Sequence, residues 1–182
     1  MAKAQSIVGF SNDRAEADYY PTPPETTQAL MDRELFVGNV WECACGDGRM
    51  AEVIKQFNPI IATDLRTDLG YGLGGIDFLL ENRRVDNIIT NPPYRLGQEF
   101  VERSLLQAQN KVAMLLKLVF LESSSRYNLF KSSPLKTVYV FSGRQSIYKN
   151  GITTANSGLI AYAWFVWDKS YSGKPQIDWI KA

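Results

Sequence analysis

Apolar residues in this chain gather into short dense runs, separated by stretches in which they recur at helical spacing. Runs near 39–44, 59–64, 86–91, 111–118, 136–142 and 159–168, with a shorter one near 74–77, predict strands. The stretches 24–35, 47–57, 97–109 and 123–131 predict helices; in the second, Met50, Val53, Ile54 and Phe57 mark one face. Pro24 suits the first turn of the opening helix, and Glu25 complements its dipole. A last run, Gln176 to Ile180, adds a candidate edge segment. Strand and helix alternate, which predicts an α/β fold: a mostly parallel sheet with helices on both faces. Ligands of such sheets bind beyond the carboxyl ends of the strands.

Composition narrows the class. At 182 residues the chain fits one domain, large enough to bury about 70 % of its unfolded surface. With 45 % hydrophobic and 21 % charged residues it has an ordinary soluble composition. No apolar run approaches the ~20 residues that span a bilayer, and Met1 to Ser11 lacks the apolar core of a signal peptide. We therefore expect a cytoplasmic protein with no membrane partner, a leader over residues 1–17 and a single domain over 18–182. Cys43 and Cys45 lie two apart on a predicted strand and so point to opposite faces, which disfavours a disulfide between them. The chain has no histidine, so no metal site is expected, and Ser–His, Cys–His and His–metal mechanisms are excluded.

Candidate chemistry sits where predicted strands end. Asn91-Pro92-Pro93-Tyr94 follows the run 87–90; two prolines cannot donate to a ladder, so the backbone there is rigid and its carbonyls can accept. The Asn91 amide oxygen and the Pro92 carbonyl suit an amino group, and Tyr94 can stack on a planar ring. Upstream, Gly46-Asp47-Gly48 joins a predicted strand to a predicted helix, where glycines admit close approach of a ligand to the backbone. Asp64 ends the second run at the distance where an acid binds ribose hydroxyls in nucleotide-binding α/β units. Gly75-Ile76-Asp77-Phe78 supplies a further acid and an aromatic.

Taken in order, these segments resemble motifs I to IV of the class I S-adenosylmethionine-dependent amino-methyltransferases. Tyr20-Pro21-Thr22-Pro23 resembles the extra N-terminal motif of the N6-adenine branch, and the motif order is similar to the gamma type of DNA adenine methyltransferases. The C-terminal segments are similar to small phage and prophage methyltransferases. The resemblance implies a Rossmann-like fold, a mostly parallel seven-stranded sheet with a C-terminal antiparallel hairpin at one edge. It implies S-adenosyl-L-methionine as cofactor, held by Tyr20, Pro21, Thr22, Glu42, Cys45, Gly46, Gly48, Asp64, Leu65, Asp77, Phe78 and Asn91. Catalysis would rest on Asn91, Pro92, Pro93 and Tyr94, with the methyl group going to N6 of adenine in DNA.

The net charge of +1 hides an uneven distribution. Residues 1–110 carry ten basic and sixteen acidic residues, whereas 111–149 carry seven basic residues and Glu122 alone. That basic stretch interleaves with aromatics, as a phosphate-tracking surface would, and it nominates Arg126, Lys131 and Arg144 for nucleic-acid contact. DNA is the expected partner and RNA an alternative. Only 119–134 and 145–157 could serve target recognition, so specificity is expected to be short or supplied by a partner; monomer and homodimer both remain open. The same chemistry on cytosine N4 or a protein glutamine amide, and an inactive binding module of this fold, are the competing readings.

Overall fold

The computed structural model describes residues 20–143, 145, 147 and 160–182. The leader 1–17, Arg144 and most of the connector 145–158 lie outside the described residues. The strands are β1 (Val40–Glu42), β2 (Ile60–Ala62), β3 (Val85–Thr90), β4 (Ala108–Lys117), β5 (Leu135–Phe141), β6 (Tyr162–Asp168) and β7 (Gln176–Ile180). The α-helices are α1 (Pro24–Met31), α2 (Arg49–Ile54), α3 (Gly97–Gln107) and α4 (Tyr127–Ser132). They build one seven-stranded sheet in the order β2-β1-β3-β4-β6-β5-β7. β6 pairs antiparallel with both neighbours, while the other pairings are parallel.

Central strands form because their apolar runs can be buried on both faces. Every residue of β6 is buried, and its side chains alternate. Trp164 and Val166 join Leu30, Met50, Ile54 and Ile89 under α1 and α2. Phe165 and Trp167 join Trp41, Phe78, Phe100 and Phe120 under α3 and α4. The expected mostly parallel α/β sheet with helices on both faces is thus formed.

Two details differ from the sequence expectation. No strand forms over 74–77; the stretch contributes only an isolated bridge next to it, Thr63 with Leu73. Glycines are the reason: Gly72 and Gly75 have φ of +66° and +78°, outside the range of a strand. A Cβ on Gly72 would also lie 2.6 Å from the Ala62 carbonyl oxygen. The seventh strand is β7 instead. It takes the sheet edge beside β5, so the antiparallel hairpin of β5 and β6 lies inside the sheet rather than at its margin.

The chain leaves β1 outward to β2 and returns to β3 on the other side of β1. That reversal opens a crevice at the carboxyl ends of β1, β2 and β3, where such folds bind ligands.

Candidate active site

A cleft of about 610 Å³ occupies this crevice. That is within the ~300–1,000 Å³ of small-molecule and cofactor sites. Five segments line it: Tyr20–Thr22, Glu42–Asp47 after β1, Asp64–Arg66 after β2, Ile76–Leu79, and Asn91–Pro93 after β3. The structure therefore brings together Tyr20, Pro21, Thr22, Glu42, Cys45, Gly46, Asp64, Leu65, Asp77, Phe78, Asn91, Pro92 and Pro93. Two expected residues stand apart. Gly48 borders a neighbouring hollow with Tyr71, and Tyr94 packs behind the cleft.

Each wall has a local cause. Gly48 caps α2 at φ +85°, and a Cβ there would fall 2.3 Å from the Tyr71 ring. The Asp64 carboxylate accepts from the backbone N–H of Gly46 at 2.7 Å and of Arg66 at 2.8 Å, tying the ends of β1 and β2 together. Asp77 Oδ1 accepts from Leu79 N–H at 3.0 Å, and Asp77 lines the cleft. Phe78 is buried, edge-on to Trp41 at 5.1 Å and tilted against Phe100 at 4.8 Å.

Four carboxyl groups, Glu42, Asp47, Asp64 and Asp77, share the lining with Arg49, Arg66 and Arg95, and Arg49 Nε lies 2.8 Å from Asp47. Glu42 is 2 % exposed, and its Oε2 has no hydrogen-bond partner among the described residues. Burial pushes its carboxyl well above the usual range, and the charges of Asp64 and Asp47 push it further. The Cys45 thiol, raised to about 12 by burial and the same carboxylates, stays protonated. Carboxyl and guanidinium groups with apolar patches from Ile76, Phe78 and Phe100 suit a ligand that combines charged groups, hydroxyls and an aromatic ring.

Asn91 presents an asymmetric amide. Its Nδ2 donates to the Tyr20 carbonyl and to Thr22 Oγ1, both at 3.0 Å. A carbonyl can only accept, so these bonds fix which end of the amide is nitrogen. Its Oδ1 is buried, with no hydrogen-bond partner among the described residues. Beyond it, Pro93 C=O accepts from Leu96 N–H at 2.8 Å and closes a tight turn into α3.

Tyr94 lies between Tyr20 and Tyr162, with ring centroids 5.2 and 5.6 Å away, and Lys117 Nζ sits 4.7 Å over its ring. Its hydroxyl is buried; burial, then the charge of and hydrogen bond with Tyr162, drive its pKa far up, and the hydrogen bond with Asn91 acts in the opposite sense.

Among the described residues, the basic stretch does not form one surface. Lys111 and Lys136 lie near the amino ends of β4 and β5, on the rim opposite the cleft, where Lys111 Nζ meets Glu34 at 2.6 Å. Lys136 Nζ is 3.4 Å from Glu34 and 3.6 Å from Asp168. Arg126 donates to the carbonyls of Phe120 and Glu122, both at 2.8 Å, and its guanidinium covers the Phe120 ring. Lys131 is exposed on α4. Arg49, Met50, Arg66, Arg95, Leu96 and Phe100 also line the cleft and were not singled out by sequence reasoning; only their position beside the motifs hinted at them.

No protein-family model matches the sequence, and no curated protein matches it. Similarity lies with solved structures. One is the methyltransferase subunit of a type I restriction-modification system from Streptococcus thermophilus, 13 % identical, TM-score 0.67, over 91 % of this chain and 47 % of that one. A second is a proposed RNA methyltransferase from Pyrococcus horikoshii, 16 % identical, TM-score 0.63, over 90 % and 92 %. A third is the E. cuniculi complex responsible for methylating the translation termination factor eRF1, 17 % identical, TM-score 0.57, over 84 % and 99 %. The chain spans about half the length of the restriction-system subunit. These likenesses define the fold as the Rossmann-like α/β fold of methyltransferases.

Proposed function

We propose that the protein is an S-adenosylmethionine-dependent methyltransferase acting on the exocyclic N6 amino group of adenine in DNA. The observation that carries this reading is Asn91: both amide hydrogens are taken, and a buried oxygen acceptor is left without a partner among the described residues, beside a cofactor-sized cleft. An orphaned buried acceptor is costly, so it calls for a donor that arrives with a ligand.

The residues present fit the cofactor. Asp64 retains lone pairs beyond those given to Gly46 and Arg66, and so can accept ribose hydroxyls. The unpartnered Glu42 carboxyl and the Asp47 carboxylate offer acceptors to the cationic methionine end, with Tyr20, Pro21, Thr22, Cys45 and Gly46 around it. Asp77, Phe78 and Leu65 border the part suited to an aromatic ring. When bound, S-adenosylmethionine supplies an already activated methyl group.

The chain then has to orient the acceptor nitrogen and exclude water. Asn91 Oδ1 and the Pro92 carbonyl accept the two amino hydrogens, which favours a more tetrahedral nitrogen with an available lone pair. The surplus proton leaves to water, a route that needs no histidine. The base reaches this depth only when flipped out of its stack. The N-terminal Tyr-Pro-Thr-Pro and the motif order favour adenine in DNA over the other amines.

Tritiated-methyl incorporation from S-adenosylmethionine into DNA, RNA and protein, followed by nucleoside mass spectrometry, tests the reading. N6-methyladenine in DNA is the expected product. Label confined to RNA or protein would move the substrate; no label in any of them would leave a binding module.

A further inference from the structure

Tyr20-Pro21-Thr22-Pro23 crosses Asn91 as a rigid segment, since each proline fixes its φ and carries no N–H. Thr22 is 5 % exposed, and its Oγ1 receives one of the Asn91 amide hydrogens while the Tyr20 carbonyl receives the other. Were the amide turned over, Asn91 Oδ1 would face the Tyr20 carbonyl oxygen, acceptor against acceptor. The same residues line the cofactor-sized cleft, so this segment joins the two halves of the site.

We propose that Thr22 is a positioning residue: with the Tyr20 carbonyl it locks the Asn91 amide so that this side chain offers the substrate an acceptor and no donor. A site built this way takes N–H-bearing targets and rejects carbonyl-bearing ones, because a buried acceptor facing another acceptor stays unpaired. The inference rests on the amine-methylation reading for its specificity half; the lock itself stands on the two hydrogen bonds alone.

Thr22→Val removes the hydroxyl at nearly constant shape, and Thr22→Ser keeps it. In the full chain, hydrogen exchange of the Asn91 side-chain amide, followed by NMR and assigned through its loss in Asn91→Ala, reads the lock directly. Thr22→Val should speed that exchange and lower kcat on adenine-containing DNA by about tenfold each, the loss of one hydrogen bond, with KM for DNA unchanged. Thr22→Ser should restore both. Wild-type exchange and kcat in Thr22→Val, or a lowered melting temperature as the sole change, would overturn the lock. A wild-type chain that methylates no amine would instead overturn the specificity half, while the exchange measurement would still support or overturn the lock.

Discussion

At the amino ends of the strands, Glu34, Lys111, Lys136, Asp168 and the Tyr139 hydroxyl close on one another, and each polar group has a partner. At the carboxyl ends, Glu42 and Asn91 hold buried oxygens that have none, and Glu42, Asp47 and Asp64 place like charges side by side. Both regions are rich in ionisable groups, but only the first is satisfied by the protein itself. Burial alone would raise the Glu34 pKa; the Lys111 and Tyr139 hydrogen bonds and the charges of Lys111 and Lys136 outweigh it and hold the carboxyl below its usual range. At Glu42 burial acts with the neighbouring carboxylates, and the shift goes the other way. The difference contrasts a buried charge network that closes on itself with one that leaves acceptors open beside a cleft, as the proposed binding role of the second requires.

The contrast is broken most severely at Glu34. Glu34→Ala leaves two ammonium groups facing Asp168 alone and should cost about 3 kcal/mol, the order seen when one partner of a buried pair is removed. Thermal melts would read this as a fall of roughly 6–12 °C, with cofactor affinity unchanged. At the other rim, Asp64→Ala should weaken S-adenosylmethionine binding by roughly tenfold or more, from charge-assisted bonds of about 1.5–3 kcal/mol each. Titration calorimetry checks it; wild-type affinity would remove Asp64 from the cofactor site.

The pH dependences should carry opposite signs. Glu34 has a lowered folded pKa, so its contribution is full above the reference value of 4.5 and is lost as pH falls through the folded value. Glu42 has a raised folded pKa, so its contribution is full below 4.5 and is lost as pH rises through the folded value. Melting temperatures across pH should show Glu34→Ala flattening the acid limb and Glu42→Gln flattening the limb above it. Glu42→Gln should also be more stable than wild type near neutral pH by about 1 kcal/mol, since an amide avoids the charge that burial disfavours. If both variants changed the same limb, the two regions would not differ in kind.

The smallest effect concerns Lys131. Exposed on α4, it is free of the local bonds that hold Arg126, and Lys131→Gln should reduce the salt dependence of DNA binding by roughly one unit of slope. Filter binding at several salt concentrations would show it, and an unchanged slope would make this lysine ordinary solvated surface.

How far the sequence carried this depends on the range of the interactions. The long interior strands β4 and β6 were legible because their apolar runs admit one environment, burial on both faces. The strand ends carrying Gly46, Asp64 and Asn91 were legible because a polar residue breaks such a run at each. The 74–77 stretch misled because Ile76 was read as part of a strand without the positive φ of Gly75 before it. β7 read weakly because only Ile180 of its five residues is buried. Linear charge misled most: Lys111 and Lys136 belong to the rim opposite the cleft, paired with Glu34 at separations of 77 and 102 residues. The Thr22–Asn91 bond, 69 residues apart, leaves no periodic trace either.

The most direct test of the account sets Asn91→Ala beside Glu34→Ala, measuring kcat per folded molecule for methyl transfer to adenine-containing DNA together with the melting temperature. Removing the Asn91 acceptor should lower kcat on the order of 10²–10³-fold, as loss of one preorganised polar group at a reacting centre does, and leave the melting temperature within a degree or two, inside the usual range of neutral changes. Glu34→Ala should do the reverse, melting earlier and turning over normally once folded. Near-normal kcat in Asn91→Ala would contradict the account at its centre, because the unpartnered oxygen at the end of β3 would then have no part in the chemistry.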